Sequence, residues 1–462
     1  MGPDRVSASG VESSHSSPPR PALSPFRAYD PVLILLVNAV VIAYMWIVHG
    51  GPARIPDQGW LIAVGQLTGL YAALVSLVGI VLISRTPWLE RRYGMDRMTH
   101  FHRYVGFTAA VLMASHVVSI TIGYARDSSI SIWDQIVDSA LNYPYVANAM
   151  IGFSLFMLVA ISSVRWARKR LSYEHWWLVH LGSYLAVALA VGHQTAVGTD
   201  FVRDGWAFAY WVVLYVAVAL MVFGYRWVTP LLMVFRHRFA VVSVEVEGPG
   251  VVTVVVGGRD FGRLAAQAGQ FFVLRSLTQR SWWKGHPFSV SAPPDGTTLR
   301  FTIKALGDDT TELQTIPVGT RVSIEGPYGG FLPFRSSERK TLYIAGGVGI
   351  TPFRGLIDDI DRPDNVALLY RNRSPKEAVF LDELVALSSE RGFDLRLSYS
   401  AALNGDRDVD PFHPEQLLRF LPDLSQREVF VVGSQSMISS ARRGLRGAGV
   451  PAGQIHYESF TL

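Results

Sequence analysis

The sequence has no cysteine and few charged residues. The absence of cysteine excludes disulfides, thiolate nucleophiles, Cys-ligated zinc and iron–sulfur clusters held by the chain. Charged residues make up 17% of the chain, compared with about 25% in a typical soluble domain. Apolar residues make up 49% of the 462 residues, and the mean hydropathy is +0.24. This balance predicts a membrane domain joined to a soluble part, and it excludes disorder as the dominant state.

Six apolar segments predict a bundle of six transmembrane helices. Each has about 18–24 residues, enough to cross a hydrocarbon core of about 30 Å as a helix. A Ser-, Pro- and Arg-rich stretch over residues 1–30 precedes them, and we interpret it as a disordered cytosolic tail because it lacks the apolar core of a signal peptide. The segments are Pro31–Val48, Leu61–Ser84, Phe101–Tyr124, Tyr145–Val164, Trp176–Val197 and Trp206–Val228.

Basic residues indicate which loops face the cytosol. Arginine and lysine cluster after the second, fourth and sixth segments, whereas the other loops mix isolated arginines with aspartates. By the positive-inside rule, the loops rich in arginine and lysine are cytosolic. We therefore expect residues 31–228 to form a multi-pass domain of the cell membrane, with both termini in the cytosol.

Two soluble domains are predicted after the membrane domain. Short alternating apolar runs separated by glycine and proline predict an antiparallel β-barrel over residues 238–337. Strand candidates that alternate with helix candidates predict a parallel α/β domain over residues 338–462. The expected barrel strands are Phe239–Val246, Val251–Val256, Phe271–Leu274, Leu299–Lys304 and Arg321–Ile324, and the expected α/β strands are Thr341–Ala345, Val366–Tyr370, Asp394–Ser398 and Glu428–Val432.

Four histidines lie at membrane depth in the third and fifth segments. His102 and His116 are fourteen residues apart, which returns to within about 40° of the same helix face. His180 and His193 are thirteen residues apart on a segment that runs in the same direction. This sets His102 level with His180 near the cytosol, and His116 level with His193 near the outside. Two facing pairs of neutral imidazoles predict two stacked, six-coordinate haems.

The thirteen-residue spacing does not fit an ideal helix, because it leaves the two side chains about 140° apart. We therefore expect the fifth segment to be tilted or locally wider, for example through a π-bulge near Gly182 or Gly192. The alternative is that the four histidines are structural hydrogen-bonding groups or a proton relay, since polar groups at membrane depth are costly and usually serve a purpose.

Two short motifs in the β region have the chemistry of a flavin site. The motif His286-Pro287-Phe288-Ser289 offers a serine at the start of a strand for a flavin ring nitrogen, and a histidine for a phosphate or the ribitol. Further on, Gly307 lets the backbone approach a pyrophosphate, and Thr310 is a candidate N-cap of a helix whose N-terminus attracts phosphate. A structural turn would explain the first motif equally well.

A glycine turn in the α/β domain predicts a pyrophosphate cradle. A strand runs into Gly346, Gly347 and Gly349, after which Thr351 and Pro352 are expected as the N-cap and first residue of a helix. The pattern is not the GxGxxG fingerprint, so the generic dinucleotide-binding motif does not apply.

Arginines at the end of the second α/β strand indicate which nicotinamide nucleotide binds. An acidic residue there would hold a ribose 2′-hydroxyl, whereas Arg371 and Arg373 suit a 2′-phosphate. The pattern favours NADPH over NADH. The alternative is a solvated basic turn.

The order of these motifs over residues 31–462 resembles the ferric reductase/NADPH oxidase superfamily. The resemblance implies a six-helix membrane bundle followed by a cytosolic ferredoxin-reductase-like module. It implies two b haems, one at His102 and His180 and the other at His116 and His193. It also implies catalytic roles for Ser289 and for Phe460, an aromatic lid over the flavin. FAD is then expected at His286, Pro287, Phe288, Ser289, Lys304, Gly307 and Thr310, and NADPH at Gly346, Gly347, Gly349, Thr351, Pro352, Arg371 and Arg373.

Two departures from the family pattern affect the expected chemistry. Many relatives carry Cys-Gly-Pro before the last helix, where this chain has Val432-Gly433-Ser434 and so lacks the thiol near the nicotinamide. Eukaryotic oxidases often place another histidine one turn beyond the outer ligand of the third helix, where this chain has Ile120. The second departure counts mildly against dedicated superoxide production.

The expected function is transmembrane electron transfer from cytosolic NADPH through FAD and two haems to an outer acceptor. A ferric or cupric chelate is favoured as acceptor, and the alternative is O2, reduced to superoxide. A different class of function is a histidine-lined proton or ion pathway that binds no haem and is regulated by the flavin domain. A further alternative is an electron-input module for a redox partner protein. The lipid bilayer is the expected surroundings, and no nucleic-acid partner is expected.

Overall fold

The structure is a computed structural model that describes residues 30–198, 205–278, 283–329, 340–360, 362–400 and 410–459. The predicted tail over residues 1–29 and the predicted flavin lid Phe460 lie outside the described residues. The chain divides into two compact units, which are described separately. The first contains Met1–Leu74 and Ala109–Phe208, and the second contains Val75–Thr108 and Ala209–Leu462.

Apolar helices make up the N-terminal part of the chain, as predicted. Five described helices are long and apolar enough to cross a membrane, and there are six spans if the bent pair Val32–Val48 and Pro52–Gln58 counts as one. The helices are α1 (Asp30–Val48), α2 (Trp60–Leu82), α3 (Pro87–Tyr93), α4 (Met95–Asp127), α5 (Ile132–Asn142), α6 (Val146–Ser163), α7 (Tyr173–Val197), α8 (Gly205–Phe223) and α9 (Thr229–His237).

The π-bulge expected as one possibility in the fifth segment is absent there, and the other possibility, a tilt of the segment, stays a prediction. Helix α7 runs as unbroken α-helix from Tyr173 to Val197. The π-helical turn lies instead at Gly224–Val228, where it joins α8 to α9 and extends the last apolar helix beyond the predicted Val228.

A short helix between two spans, α5, was not predicted. Ser131 caps it, since its hydroxyl accepts a hydrogen bond from the backbone N–H of Asp134 at 3.1 Å. Its Trp133 and Leu141 side chains are largely exposed in the protein alone. The mixture of aspartates and apolar side chains hid this helix between two much stronger apolar signals.

Helices α6 and α7 pack closely because glycines remove side chains from their contact. A Cβ at Gly152 would lie 2.8 Å from the carbonyl oxygen of Ala186, and one at Gly182 would lie 3.0 Å from Leu155. A Cβ at Gly192 would lie 2.9 Å from the ring of Tyr145. Small residues that allow backbones to approach are the usual basis of helix packing in membranes.

Two three-stranded antiparallel sheets form the region that follows the membrane helices. The strand orders are β1-β2-β5 and β4-β3-β6, and isolated bridges from Ala240 to Arg321 and from Val290 to Phe301 join the two sheets. Phe239, Phe272 and Phe301 lie in their shared apolar core. The strands are β1 (Ala240–Gly248), β2 (Val251–Gly257), β3 (Phe271–Ser276), β4 (His286–Ser289), β5 (Thr298–Lys304) and β6 (Val322–Tyr328), and the helix α10 (Asp308–Leu313) follows β5.

A five-stranded parallel sheet follows, in the order β11-β10-β7-β8-β9. Four of its strands lie where the sequence predicted them, and the fifth, at the C-terminal end, was missed. The strands are β7 (Thr341–Gly346), β8 (Val366–Asn372), β9 (Asp394–Tyr399), β10 (Glu428–Gly433) and β11 (Ile455–Ser459), and the helices are α11 (Thr351–Ile357), α12 (Leu381–Arg391), α13 (Pro414–Phe420) and α14 (Gln435–Gly447). The predicted class, a helical membrane bundle with a ferredoxin-reductase-like module, is confirmed.

We expect Gly152→Ala to destabilise the packing of α6 on α7. The added methyl would meet a backbone carbonyl, which cannot move as a flexible side chain would, so the cost should be about 1–3 kcal/mol. Thermal unfolding in detergent measures it. The control is Gly106→Ala in α4, where a Cβ meets nothing within 4 Å and helix propensity should make the change neutral or stabilising. Equal melting temperatures for the two variants would contradict the packing described.

Candidate functional site

The outer histidine of α4 is held by a backbone carbonyl of α2. The Nδ1 atom of His116 lies 2.7 Å from the carbonyl oxygen of Gly65. A carbonyl can only accept, so Nδ1 carries the proton in this hydrogen bond and Nε2 keeps a free lone pair. A ligating histidine typically has this arrangement, in which the second nitrogen fixes the tautomer and the ring orientation.

The ring of His193 on α7 faces that of His116. The two ring centroids are 6.4 Å apart and the ring planes are inclined by 41°. A metal–imidazole nitrogen bond is about 2 Å long, so two such bonds, plus the distance from each nitrogen to its ring centre, come to roughly 6 Å. The pair therefore has the separation that two axial ligands of one iron require.

Glycines on α2 allow His116 to approach so closely. A Cβ at Gly69 would lie 2.5 Å from Nδ1 of His116, and a Cβ at Gly65 would lie 2.5 Å from Cγ1 of Ile120. Ile120, which occupies the position of the additional histidine of eukaryotic oxidases, thus packs against the helix that orients His116.

The inner histidine of α4, His102, also donates a hydrogen bond to a backbone carbonyl of α2. Nδ1 of His102 donates to the carbonyl oxygen of Gly79 at 2.9 Å. Gly65 and Gly79 are fourteen residues apart on α2, the same interval that separates His102 from His116 on α4. The sequence analysis did not use this interval on α2, which could have identified Gly65 and Gly79 as the hydrogen-bond partners of the two histidines.

His180 on α7 has different neighbours from His193. Its ring lies 4.8 Å from that of Trp176, and its Nδ1 lies 3.3 Å from the hydroxyl of Ser163. The thirteen-residue spacing leaves the two histidines on different sides of a regular helix, and no bulge corrects it. His180 and His102 belong to different compact units, and their pairing stays a prediction.

Arg54 is a half-buried cation beside α2 that the sequence analysis passed over as an isolated loop arginine. Its Nη2 donates to Oε1 of Gln66 at 3.5 Å, next to Gly65 on α2. Its Nε and Nη1 atoms are buried and have no hydrogen-bond partner among the described residues. Such a guanidinium is suited to bind an anion.

The predicted flavin motif lies on β4, beside a small charged group. Ser289 is buried and ends the strand, whereas the sequence predicted it at the start. Nζ of Lys284 and Nε2 of His286 lie 3.1 Å and 3.9 Å from Oδ2 of Asp309. Burial lowers the pKa of His286 more than the carboxylate of Asp309 raises it, so the imidazole is neutral at neutral pH.

Thr310 occupies a different capping position from the one predicted. Helix α10 starts after Gly307, and Oγ1 of Thr310 reaches back to accept from the backbone N–H groups of Gly307 and Leu306 at 3.1 Å and 2.9 Å. The prediction of Thr310 as N-cap is therefore wrong, because the helix begins three residues earlier. Thr310 still orders the turn that carries Gly307.

A cavity of about 350 Å³ opens at the carboxyl ends of the parallel strands. Gly347 lines it with a φ of +55°, a conformation that favours glycine. Gly346 also lines it, and a Cβ there would lie 2.3 Å from Sδ of Met437. Lys304, which the resemblance assigns to FAD, lines this cavity too. This edge of a parallel sheet is where nucleotides usually bind.

The turn after β7 starts its helix earlier than predicted. Gly347–Ile350 is already 3₁₀-helical, and the hydroxyl of Thr351 donates to the carbonyl of Val348 at 3.0 Å. Thr351 is therefore not an N-cap, and Pro352 follows within the helix. Gly349 lies against the sheet, since a Cβ there would be 2.5 Å from the carbonyl oxygen of Val432.

Arg371 and Arg373 line the same cavity in different ways. Nη1 of Arg371 donates to the hydroxyl of Ser398 at 2.9 Å, and its guanidinium lies 5.7 Å from the ring centre of Phe412. The side chain of Arg373 is 77% exposed and lies 3.7 Å from Glu377. Arg371 is thus fixed by its neighbours, whereas Arg373 has room to move towards a ligand.

Two family models match the chain in the order that the motifs follow. Residues 68–191 match the ferric reductase-like transmembrane component, a range that includes His102, His116 and His180. Residues 236–331 match a FAD-binding domain, a range that includes the His286–Ser289 motif and Thr310.

Three curated relatives are similar to between 37% and 64% of the chain. A ferredoxin–NADP reductase B of Sorangium cellulosum is 30% identical over 37% of this chain and 77% of its own length. A flavohemoprotein of Xylella fastidiosa is 23% identical over 64% of this chain and 78% of its own length. Dual oxidase 2 of Rattus norvegicus is 24% identical over 63% of this chain, but the match spans 20% of that protein.

Among solved structures, the flavohem-like FAD/NAD-binding domain of a Vibrio cholerae nitric oxide dioxygenase is similar to 48% of this chain. That match covers 98% of the solved domain, with 23% identity and a TM-score of 0.42. The matches to the transmembrane family model and to the FAD-binding family model, in this order on one multi-pass chain, indicate the family. The chain belongs to the ferric reductase/NADPH oxidase superfamily and is an oxidoreductase whose transmembrane domain is followed by a FAD-binding reductase module.

Proposed function

We propose that the protein carries electrons from cytosolic NADPH across the membrane to an acceptor at the outer face. FAD supplies the conversion of a two-electron hydride into single electrons, and two b haems supply one-electron transfer through the bilayer. Transfer of electrons out of a cell whose interior is negative is favoured by about 2.3 kcal/mol per charge per 100 mV. The protein's own task is to hold and orient these groups, and no general base is required.

The facing rings of His116 and His193 are the observation that carries this proposal. Their separation of 6.4 Å suits two axial ligands of one iron, and the hydrogen bond from His116 to Gly65 leaves Nε2 free to ligate. His102 has the same hydrogen bond with Gly79, so we assign the second haem to His102 and His180. Arg54 is the cation we assign to a propionate of the outer haem.

The cytosolic residues divide between the two nucleotides. We assign the flavin ring to Ser289 with Pro287 and Phe288, and the flavin phosphates to His286 and the turn of Gly307 and Thr310. Asp309 is added to this site by its contact with His286, and Lys284 by its contact with Asp309. The catalytic roles of Ser289 and of Phe460 as a lid remain part of the proposal.

We assign NADPH to the cavity at the carboxyl ends of the parallel strands. Gly346 and Gly347 would accommodate its pyrophosphate, Lys304 would add a positive charge, and Arg373 with Arg371 would bind the 2′-phosphate. Gly349, Thr351 and Pro352 shape the turn behind the cavity.

A ferric or cupric chelate is our preferred acceptor. The described residues hold no group of three or more histidine, aspartate or glutamate side chains placed to bind a metal ion, so a chelate would be reduced without a dedicated metal site. Ile120 replaces the additional histidine of the oxidases and packs on Gly65 instead. O2 is the second candidate, favoured by the similarity to dual oxidase 2.

The first test is an anaerobic absorption spectrum of the purified protein before and after NADPH, with haem and flavin quantified per chain. Two b haems and one FAD, all reduced by NADPH, would support the proposal. FAD without a Soret band would overturn it in favour of structural or pathway histidines. Rates with ferric citrate, a cupric chelate and O2 then rank the acceptors, and slow turnover with all three would indicate a redox partner protein.

We expect His116→Ala and His193→Ala each to remove one haem per chain. Each variant removes one of the two residues that would hold the outer haem iron, whereas the cytosolic domains are untouched, so NADPH should still reduce the flavin. The pyridine haemochrome spectrum measures the haem, and anaerobic bleaching of the flavin measures the reductase step. Two retained haems in either variant, or a flavin that NADPH no longer reduces, would count against the assignment.

Gly69→Ala should disturb the outer haem without touching a ligand. The new Cβ would lie 2.5 Å from Nδ1 of His116, so the ring must turn or its helix must shift, and the expected result is a lower outer-haem content or a shifted midpoint potential. Redox titration of the Soret band tests this. Gly205→Ala at the start of α8, where a Cβ meets nothing within 4 Å, is the matched control and should titrate like the parent protein. Unaltered haem in Gly69→Ala would argue against the ring position.

Arg373→Ala should raise the KM for NADPH about tenfold and leave the KM for NADH unchanged, because a hydrogen bond to a charged group is worth about 1.5–3 kcal/mol. Steady-state kinetics with both nucleotides provide the comparison. The control is Arg362→Ala, which removes an exposed arginine paired with Asp364 in the same domain. A similar change for both nucleotides would refute the 2′-phosphate assignment.

A further inference from the structure

The chain between α2 and α4 buries polar side chains to an unusual extent for a loop. Ser84, Thr86 and Glu90 are each no more than 1% exposed. Arg85 between them has a φ of +60°, which a non-glycine residue adopts only where its surroundings impose it. Buried polar groups are costly unless they are hydrogen-bonded, so this segment must have specific partners.

The first partner is a carboxylate on β6, 240 residues away. Nη1 of Arg85 donates to Oε1 of Glu325 at 2.5 Å. Nη1 of Arg275 on β3 donates to Oε2 of Glu325 at 2.8 Å, and the hydroxyl of Tyr328 donates to Oε1, also at 2.8 Å. The buried carboxylate thus accepts hydrogen bonds from two cations and a phenol.

The second partner lies just beyond the same strand. Oε1 of Glu90 accepts a hydrogen bond from the backbone N–H of Gly329 at 2.6 Å. Arg85 and Glu90 thus hold residues Glu325 and Gly329, one within and one directly after β6. We call these four residues the junction clamp.

The strand that the clamp holds belongs to the sheet of the proposed flavin site. Phe271 on β3 is paired in register with Tyr328 on one side and with Ser289 on the other. Neighbouring strands are about 4.8 Å apart, so the clamped strand lies only about 10 Å from the strand of Ser289.

The other side of the clamp leads to the inner histidine. Arg85 comes six residues after Gly79, whose carbonyl holds His102. The end of α2 is fixed as well, since Nη1 of Arg226 donates to the carbonyl of Ile83 at 3.2 Å. All the residues named in this connection, including His102 at one end and Ser289 at the other, belong to the second compact unit.

We propose that the junction clamp sets the position of the flavin-bearing sheet relative to His102, and that Arg85 is a positioning residue for electron transfer from flavin to the inner haem. This inference rests on the proposed function. Removal of Arg85 would leave Glu325 buried with one cation fewer, which strongly favours a local rearrangement. A larger distance between the flavin and the inner haem slows electron transfer between them, whereas the reductase step within the soluble domains is unaffected.

The carboxylate of Glu325 in the clamp should stay ionised throughout the neutral pH range. Burial alone would raise the pKa of Glu325, but the guanidinium groups of Arg85 and Arg275 outweigh it and hold the pKa below its ordinary value of 4.5. A carboxylate with a lowered pKa contributes stability that is complete above the ordinary value and is lost as the pH falls through the lowered one. Rates of flavin and haem reduction measured at neutral pH are therefore rates of the protein with Glu325 ionised.

Anaerobic stopped-flow kinetics of the full-length protein in detergent test the inference. Flavin bleaching and haem reduction are followed after mixing with NADPH in the parent, Arg85→Ala, Arg85→Lys and Arg97→Ala proteins. Arg97→Ala is the matched control, since it removes an exposed arginine near the start of α4. Reduction by dithionite shows that the haems of each variant are intact.

We expect Arg85→Ala to slow haem reduction at least tenfold, while flavin bleaching and the KM for NADPH stay unchanged. Arg85→Lys should restore part of the rate of haem reduction. Arg97→Ala should reduce its haems as fast as the parent protein. Amide exchange in residues 322–329 should rise in Arg85→Ala. If the parent reduces its haems and Arg85→Ala does so equally fast, the inference fails and the proposed function stands. If the parent flavin is bleached but dithionite-reducible haems stay oxidised, the proposed function fails. If Arg85→Ala does not fold, an unchanged haem rate in Arg85→Lys and Glu325→Gln overturns the inference.

Discussion

The need to satisfy an imidazole inside a membrane constrains much of this structure. His102 and His116 each have a ring N–H that finds no water in hydrocarbon, and each donates it to a carbonyl of α2. A helix carbonyl that already accepts its own intrahelical bond still has a second lone pair, but a side chain reaches it only where two helices come very close. Gly65 and Gly69 provide that approach. The hydrogen bond to a carbonyl of α2 is therefore a requirement that the two histidines of α4 share, and for His116 it goes together with a close approach at glycine and an available Nε2 lone pair.

Much of the fold could be predicted because its signals are local. Apolar runs located the membrane helices, alternating runs located the two sheets, and the histidine interval on α4 follows from helix geometry alone. The errors were also local in origin. Thr310 and Thr351 look like helix N-caps, but Gly307 and Gly347 start their helices earlier, and each threonine hydroxyl bonds back into the turn. The preference of threonine for the N-cap position therefore locates the start of a helix only to within one turn when a glycine lies a few residues before the threonine.

The features that the sequence did not predict depend on contacts between distant residues. Arg54 looked like an ordinary loop arginine until its buried guanidinium nitrogens were seen beside Gln66. Glu325 looked like one more residue of a barrel strand, and its partner Arg85 looked like one of several cytosolic arginines that set the topology. A charge rule counts all these arginines equally, because it concerns the membrane potential and the insertion machinery rather than the fold. A tertiary partner distinguishes one arginine from its neighbours.

An ionic junction is a costly way to join two parts of a protein. Well-packed apolar residues often stabilise a buried contact as well as or better than an ion pair does. Apolar contacts, however, tolerate small slips, whereas a carboxylate that accepts from Arg85, Arg275 and Tyr328 has its bonds in one arrangement only. A protein that holds redox groups at a fixed distance, as we propose for this one, gains more from a single arrangement than from extra stability. On this argument the buried carboxylates Glu90 and Glu325 serve the junction by fixing one arrangement there, although other buried charges, such as Arg354 and Glu428, lie elsewhere in the chain.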